Sequence, residues 1–325
     1  MKIAVIIPAY KVKKQIISVI KGIDSSVNFI IVVDDKCPEN TGEFVEEQIK
    51  DSRLFVLYHN KNKGVGGAMK TGFKKALEFK AEIVVKVDGD GQMDVDFIPT
   101  LIAPIVQGRS DFTKGNRFFF LSELRKMPFT RLFGNSILSL FNKLVNGYWN
   151  IMDPTNGFIA IHTDILSLIS IGKLSDRYFF ESDLLFRMGS IRAVVTDVPM
   201  APKYENETSN LSILKVLFEF PPKYFVRFFK RLFYQYFLRD FNIGSLELIF
   251  GNFLFLFGII FGAYKWHTAL ETNIPTPTGT IMLAVLPIIL GFQLLLSFIN
   301  YDIASLPKTP LHTSLSKKVT LNNEI

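Results

Sequence analysis

Two stretches near the C-terminal end of this 325-residue chain hold no charged residue: Leu248 to Tyr264, and Thr272 to Tyr301, whose apolar heart is 281–299. At about 1.5 Å of rise per helical residue, each covers roughly 30 Å of hydrocarbon. The pair predicts a hairpin of two transmembrane helices, at about 246–265 and 280–300. Buried core helices are the competing arrangement, but two such runs in succession are uncommon in soluble cores. The preceding segment, 211–240, mixes many Phe and Tyr with Lys223, Arg227, Lys230, Arg231 and Arg239. A helix of that make-up lies in a membrane interface, rings down and cations toward anionic lipid headgroups; the alternative is an amphipathic helix packed on a domain. Basic residues crowd the side before the first span, and Lys308, Lys317 and Lys318 follow the second, whereas the connection holds Lys265 and His267 against Glu271. That bias puts both the large N-terminal region and the tail in the cytoplasm, as a multi-pass protein of the inner or cytoplasmic membrane.

Residues 1–110 repeat another pattern, in which short β-branched runs are each followed by a polar turn and a helical stretch. The runs are 2–8, 28–35, 53–60 and 81–90. Near-continuous apolar strands alternating with helices predict an α/β fold, a mostly parallel sheet flanked by helices. The first run is read as a strand, since the short apolar stretch Ile3 to Ile7 before Pro8 is too brief for a secretion signal. Ligands of such sheets sit outside the carboxyl ends of the strands. Asp34 and Asp35 end the second run, and Asp88 and Asp90 the fourth. From about 111 to 210 aromatic and basic residues intermix, as suits an open subregion receiving a second substrate.

Composition removes some options. With 48% hydrophobic residues most of the chain is not disordered, and the single cysteine, Cys37, excludes an intrachain disulfide framework. The excess of 37 basic over 30 acidic residues suits an anionic partner. Nucleic acid is the weakest choice, because the cations gather beside the spans without a recognition motif.

The strongest chemical signal is VKVDGDGQMD, 85–94, where a strand delivers carboxylates at i and i+2 into a turn kept narrow by Gly89 and Gly91. Asp88, Asp90 and Gln92 offer hard oxygen, which favours Mg²⁺ or Mn²⁺ over zinc. Solvated loop acids are the bland alternative. HNKNKGVGGAMKTGF, 59–73, opens a helix but fits neither common phosphate-loop template. Its glycines are read as permitting close approach to a flat ligand or a neighbouring strand. His59, His162, His267 and His312 lack ligand spacing and receive no role.

PAY (8–10), VVDD (32–35), NKGVGGAMKTG (62–72), VDGDGQ (87–92) and DPTNGF (153–158), in this order, resemble the family 2 glycosyltransferases with the nucleotide-sugar-binding A-type fold. The basic segment and hairpin narrow the likeness to the branch resembling dolichyl-phosphate mannose synthases and bacterial polyprenyl-phosphate glycosyltransferases. The resemblance implies a glycosyltransferase domain at 1–210, interfacial helices at 211–240, two spans within 241–305 and a tail at 306–325. It implies that Pro8, Ala9, Tyr10 and Asp35 border the nucleotide, that Asp88 approaches it, and that Asp88, Asp90 and Gln92 hold the metal. Lys203 is a further cation for the diphosphate. Lys11 and Val12 stand where relatives often carry Asn and Glu, so an acid that would recognise the base at position 12 is missing.

Transfer from a nucleotide diphosphate requires neutralising the charge that builds on the leaving group. A lipid monophosphate acceptor is already anionic at pH 7, its second pKa being about 6, so no strong base is compulsory. An arginine pair would hold that phosphate in line, and Arg117 and Arg131 resemble the family's phosphate-contacting arginines. Asp183, beside Glu181 in YFFESDLLFRM, is read as a base or as the residue that orients an arginine, with a helix N-terminal acid as the plain alternative. Asp153 and Asn156 shape the acceptor side or simply make a turn. The expected activity is that of a metal-dependent, membrane-anchored, inverting hexosyltransferase from UDP- or GDP-hexose to dolichyl or undecaprenyl phosphate, with homo-oligomers allowed. A hydroxyl acceptor on a lipid or polysaccharide, or a catalytically silent membrane scaffold, is the alternative.

Overall fold

The computed structural model describes residues 1–120, 124, 129–201 and 213–315. Seven strands form one sheet: β1 Ile3–Ala9, β2 Phe29–Asp34, β3 Leu54–Tyr58, β4 Ile83–Lys86, β5 Phe112–Asn116, β6 Ile159–His162 and β7 Val195–Pro199. Their order is β3-β2-β1-β4-β6-β5-β7. Every pair is parallel except those made by β6, which runs antiparallel to both β4 and β5. The four N-terminal runs thus form the parallel half. Their polar ends are trimmed, and the fourth strand stops at Lys86 because the glycine-containing turn begins there. Ile3, Val5, Ile7, Ile30, Val32, Ile83 and Val85 alternate onto one core, against α1 (Ile16–Gly22) and Ile98, Leu101 and Ile105.

The order 3-2-1-4 places a topological switch point between β1 and β4, where open α/β sheets bind ligands. The loop after β1 and the turn after β4 meet there. A Cβ built on Gly89 would lie 3.0 Å from Val12 Cγ2, and Gly91, at φ +80°, faces Gln15. After α1 come, in chain order, α2 Thr41–Gln48, α3 Val65–Glu78, α4 Ile98–Val106, α5 Phe129–Asn146, α6 Thr163–Leu168 and α7 Phe180–Ile191. α8 spans Ile213–Phe233.

The chain divides into two compact units, one comprising 1–228 and the segment from Pro307 onward, the other 229–306. Within the first unit, Tyr224 and Arg227 of α8 bond to Ser182, Asn142 and Asp183. The segment from Pro307 onward bonds to the rest of that unit: Leu311 N and His312 N donate to the Asp111 carboxylate at 3.0 and 2.9 Å.

The second unit is built on α9 (Ile243–Thr272) and α10 (Thr278–Ala304), 30 and 27 residues long. Both are long and apolar enough to cross a membrane, and only 11% and 17% of their most apolar stretches is buried. They are candidate membrane spans. Gly251, Gly258 and Gly291 let them approach: a Cβ on Gly258 would lie 2.6 Å from the Ala284 carbonyl oxygen. Within this unit Arg231 pairs with both oxygens of Asp302 at 2.7 and 3.1 Å, and Tyr236 donates to Asp302 at 2.6 Å.

Candidate active site

β4 carries a lysine into an otherwise apolar interior. Lys86 is 1% exposed, with Nζ 2.6 Å from Asp88 Oδ1 and 3.5 Å from Glu181 Oε1. Burial pulls its pKa down, but Asp88 and Glu181 outweigh that and leave it above the ordinary lysine value. Lys86 is therefore a fixed ammonium beneath the acid turn. The backbone of the 153–158 turn closes over it, since a Cβ on Gly157 would meet Lys86 Nζ and stand 3.0 Å from Asp88 Oδ2. Two motifs 65 positions apart, Gln92 and Gly157 by number, thus share one lysine.

A second buried lysine supports that turn. Lys114 of β5 donates to the Asn156 carbonyl, and burial pushes its pKa down to about 8 despite Asp153, Glu181 and Asp197. Asn156 returns Nδ2 to the Gly115 carbonyl at 2.8 Å. Asp153, fully buried, takes Arg117 Nε at 2.7 Å and a terminal nitrogen at 3.1 Å. This bidentate pair fixes the guanidinium just past β5.

In the acid turn itself, Gln92 N donates to Asp90 Oδ1 at 3.1 Å. Among the described residues no three His, Cys, Asp or Glu side chains converge into a metal cage. On the nucleotide side expected from the motifs, Tyr10 is exposed, Pro8 is half-buried, and Ala9 is wholly buried and offers no side-chain surface. Asp35 is also buried. Its carboxylate accepts from His59 Nδ1 at 2.7 Å, Lys63 N at 2.8 Å and Gly64 N at 2.6 Å, so it organises the glycine-rich loop from within. Asp34 does the same for the entry to α2, taking Cys37 N and Gly42 N at 2.7 Å each. His59, given no role from sequence, bridges Asp35 to Thr71 Oγ1.

Asp183, on the first turn of α7, is buried with both oxygens engaged. Oδ2 takes Ser175 N at 3.0 Å and Arg187 at 3.4 Å, and Oδ1 takes Arg227 Nε at 3.1 Å. That geometry is an arginine holder's. A base needs an oxygen within reach of the reacting hydroxyl. The same helical turn sends Glu181 to Lys86 and Asp183 to α8, so it touches both the acid turn and the basic helix. Lys203 lies outside the described residues, and Arg131, on α5, has its side chain outside them.

Lys86, Lys114 and Arg227 were not evident from the sequence as site components. The available signal was the lysine inside the strand run IVVK, a charge where a doubly covered strand has no room for one without a partner.

Residues 4–169 match the family described as Glycosyl transferase family 2. The chain is 32% identical over 216 residues to the UDP-N-acetylglucosamine–dolichyl-phosphate N-acetylglucosaminyltransferase of Methanococcus voltae, covering 62% of this chain and 86% of that one. It is 26% identical over 204 residues to the undecaprenyl-phosphate mannosyltransferase of Micrococcus luteus, covering 62% and 83%. Among solved structures, the glucosyl-3-phosphoglycerate synthase of Mycobacterium tuberculosis, in complex with Mn²⁺, UDP and glucosyl-3-phosphoglycerate, shares the fold, with a TM-score of 0.52 at 19% identity over 71% and 79% of the two chains.

Proposed function

Since the chain belongs to glycosyl transferase family 2, we propose that it moves a hexose or N-acetylhexosamine from a nucleotide sugar to a polyprenyl phosphate, with inversion, at the cytoplasmic face of a membrane crossed by α9 and α10. The observation that carries this reading is the convergence of the acid turn and the 153–158 turn on Lys86, at the sheet's switch point, in a chain that also holds two apolar helices of spanning length. The two relatives, which act on dolichyl phosphate and undecaprenyl phosphate, support the acceptor class. UDP-linked sugars are the first donors to try, with GDP-linked sugars next.

Asp90, Asp88 through Oδ2, and the Gln92 side chain are the residues that would hold Mg²⁺ or Mn²⁺. The donor set fits, because such a cation takes one or two carboxylates and completes its shell with phosphate oxygens and water, which explains why no protein cage is needed. When bound, the cation neutralises the departing diphosphate. The chain's own residues do the rest. Lys86 fixes the Asp88 carboxylate, and Asp35 fixes the glycine-rich loop beside Pro8 and Tyr10. Arg117, set by Asp153, orients the acceptor phosphate, with Arg131 as its proposed companion and Lys203 as a cation for the diphosphate. The acceptor arrives ionised, so no residue has to remove a proton. The engaged carboxylate of Asp183 favours this over a hydroxyl acceptor.

The test incubates membranes containing the protein with radiolabelled UDP- and GDP-sugars, Mg²⁺ and polyprenyl phosphate. A product that extracts into organic solvent and hydrolyses in mild acid is expected. Its absence with every common donor would discard the proposal.

A further inference from the structure

Arg227 lies outside every motif that marks the site, yet it is held as few surface arginines are. Its Nε donates to Asp183 Oδ1 at 3.1 Å, its Cζ sits 5.6 Å from the centre of the Phe179 ring, and its side chain is 23% exposed. Asp183 is anchored in turn by Ser175 N and Arg187, and Phe179 by edge contacts with Phe220 and Tyr224, each 5.1 Å between ring centres. The guanidinium is therefore fixed from one side only. Neither of its terminal nitrogens has a hydrogen-bond partner among the described residues.

A guanidinium tied through Nε presents its outer N–H groups as a planar fork, the arrangement that matches two oxygens of a phosphate. Lys223, one turn earlier, lies 5.5 Å from the same ring and adds a second cation. The local count is cationic by one: Lys223, Arg187 and Arg227 face two carboxylates, Glu219, 3.9 Å from Lys223, and Asp183, which serves both arginines.

The surroundings choose among phosphates. Phe225 and Val226 beside Arg227 are exposed, and so are Phe133, Ile137, Leu140 and Phe141 on α5. The two helices meet through the Phe141–Tyr224 stack, 6.4 Å apart at 13°. The guanidinium thus lies against one ring, Phe179, on a pair of helices that carry exposed apolar side chains, which suits a phosphate that carries hydrocarbon and not a soluble one.

We propose that Arg227, fixed by Asp183 and Phe179, binds the phosphate of a lipid. Assigning that phosphate to the polyprenyl acceptor rests on the function proposed above; a bilayer headgroup offers the same chemistry from another source.

The experiment uses the full chain in nanodiscs, with Arg227→Gln and Arg227→Lys, after thermal melts establish that each is folded. Two quantities are read: KM for polyprenyl phosphate and for the nucleotide sugar, and binding to phosphatidylcholine vesicles with and without phosphatidylglycerol. Arg227→Gln is expected to raise the acceptor KM at least tenfold with the donor KM within twofold. Arg227→Lys, which keeps charge and ion pair but lacks the fork, is expected to fall between. An unchanged acceptor KM with a lost preference for phosphatidylglycerol supports the lipid-phosphate site and assigns it to headgroups. If a folded Arg227→Gln protein changes neither quantity, the inference is overturned. Absence of turnover with any acceptor would count against the proposed function alone, because the vesicle measurement still reads Arg227.

Discussion

The Lys86 ammonium stands 2.6 Å from Asp88 and 3.5 Å from Glu181, joining the turn after β4 to the first turn of α7 through one buried charge. Removing it leaves two carboxylates facing each other in a site closed by Gly157. Breaking a fully buried pair in this way costs about 3–5 kcal/mol, and less here, because the Asp88 side chain is 34% exposed and keeps part of its hydration. Lys86→Met is expected to lower the thermal midpoint and to weaken Mn²⁺ and nucleotide binding at least tenfold, read by calorimetric titration. Glu181→Gln, which leaves the Asp88 contact intact, is expected to weaken binding less. Equal binding by Lys86→Met and wild type would show that Asp88 needs no such support.

Gly157 supplies a second, steric prediction. A Cβ there would press on Lys86 Nζ and on Asp88 Oδ2, whereas one on Gly172 would meet nothing within 4 Å. Overpacking of this kind typically costs about 1–3 kcal/mol. Gly157→Ala is expected to cut turnover more than tenfold through displacement of Asp88, and Gly172→Ala to leave it unchanged. Comparable rates for the two variants would mean that the 153–158 turn moves aside freely.

Much of this arrangement was legible in the sequence, for a physical reason. A parallel strand covered on both faces cannot alternate, so Ile3–Ala9 and Phe29–Asp34 read as unbroken apolar runs, and the acids that end them mark the carboxyl edge. Glycines and acids in a short turn mark phosphate chemistry by their own properties. What such reading misses is partnership at a distance. Asp183 reads from sequence as a base, an arginine's orienter or a plain helix acid, and nothing in that reading points to Arg227, 44 positions later, which donates to its oxygen. Lys114 bonds to Asn156, and Arg117 to Asp153, across a separation set by sheet topology and not by any period. The apolar stripe of α5 was hidden because its polar neighbours made the segment look irregular.

The most distant of these partnerships ties the tail to the first unit. Asp111, wholly buried, accepts from Val194 N at 2.8 Å, Leu311 N at 3.0 Å, and His312 through N at 2.9 Å and Nδ1 at 2.8 Å. Deleting the chain after Leu306 leaves it one of four donors, and unsatisfied buried acceptors cost about 1–3 kcal/mol. The deletion is expected to lower the melting point of the first unit. The His312 ring also stacks on His162, 4.4 Å between centres. Burial and then His312 hold the His162 imidazole below its usual pKa of 6.5, against Asp164, Asp111 and Glu82. The folded state therefore binds fewer protons than the unfolded chain below pH 6.5, and stability falls as pH drops through that value. His162→Gln is expected to flatten the decline between pH 7 and 5.5 in thermal melts; an unaltered slope would assign the decline to other groups.

Asp197 gives the opposite sign. Burial pushes its carboxyl up to about 6, although Met152 N donates to Oδ2 at 2.7 Å and Lys114 stands nearby; Oδ1 is buried and has no hydrogen-bond partner among the described residues. An acid whose folded pKa exceeds its unfolded value of 3.8 binds more protons in the native state between those limits. Its ionisation then costs stability progressively as pH rises from about 4 to about 6, to a plateau of about 3 kcal/mol. Asn at this position keeps an acceptor for Met152 N and has no charge to lose. Asp197→Asn is therefore expected to gain on wild type as pH rises, with little difference at pH 4 and the full difference by pH 7, where Lys114 is still protonated. Urea unfolding at the two pH values measures this directly. A gap that narrows with rising pH would mean that the Asp197 anion stabilises the Lys114 ammonium by more than its own burial costs, and the turn held by Lys114 would then depend on both charges.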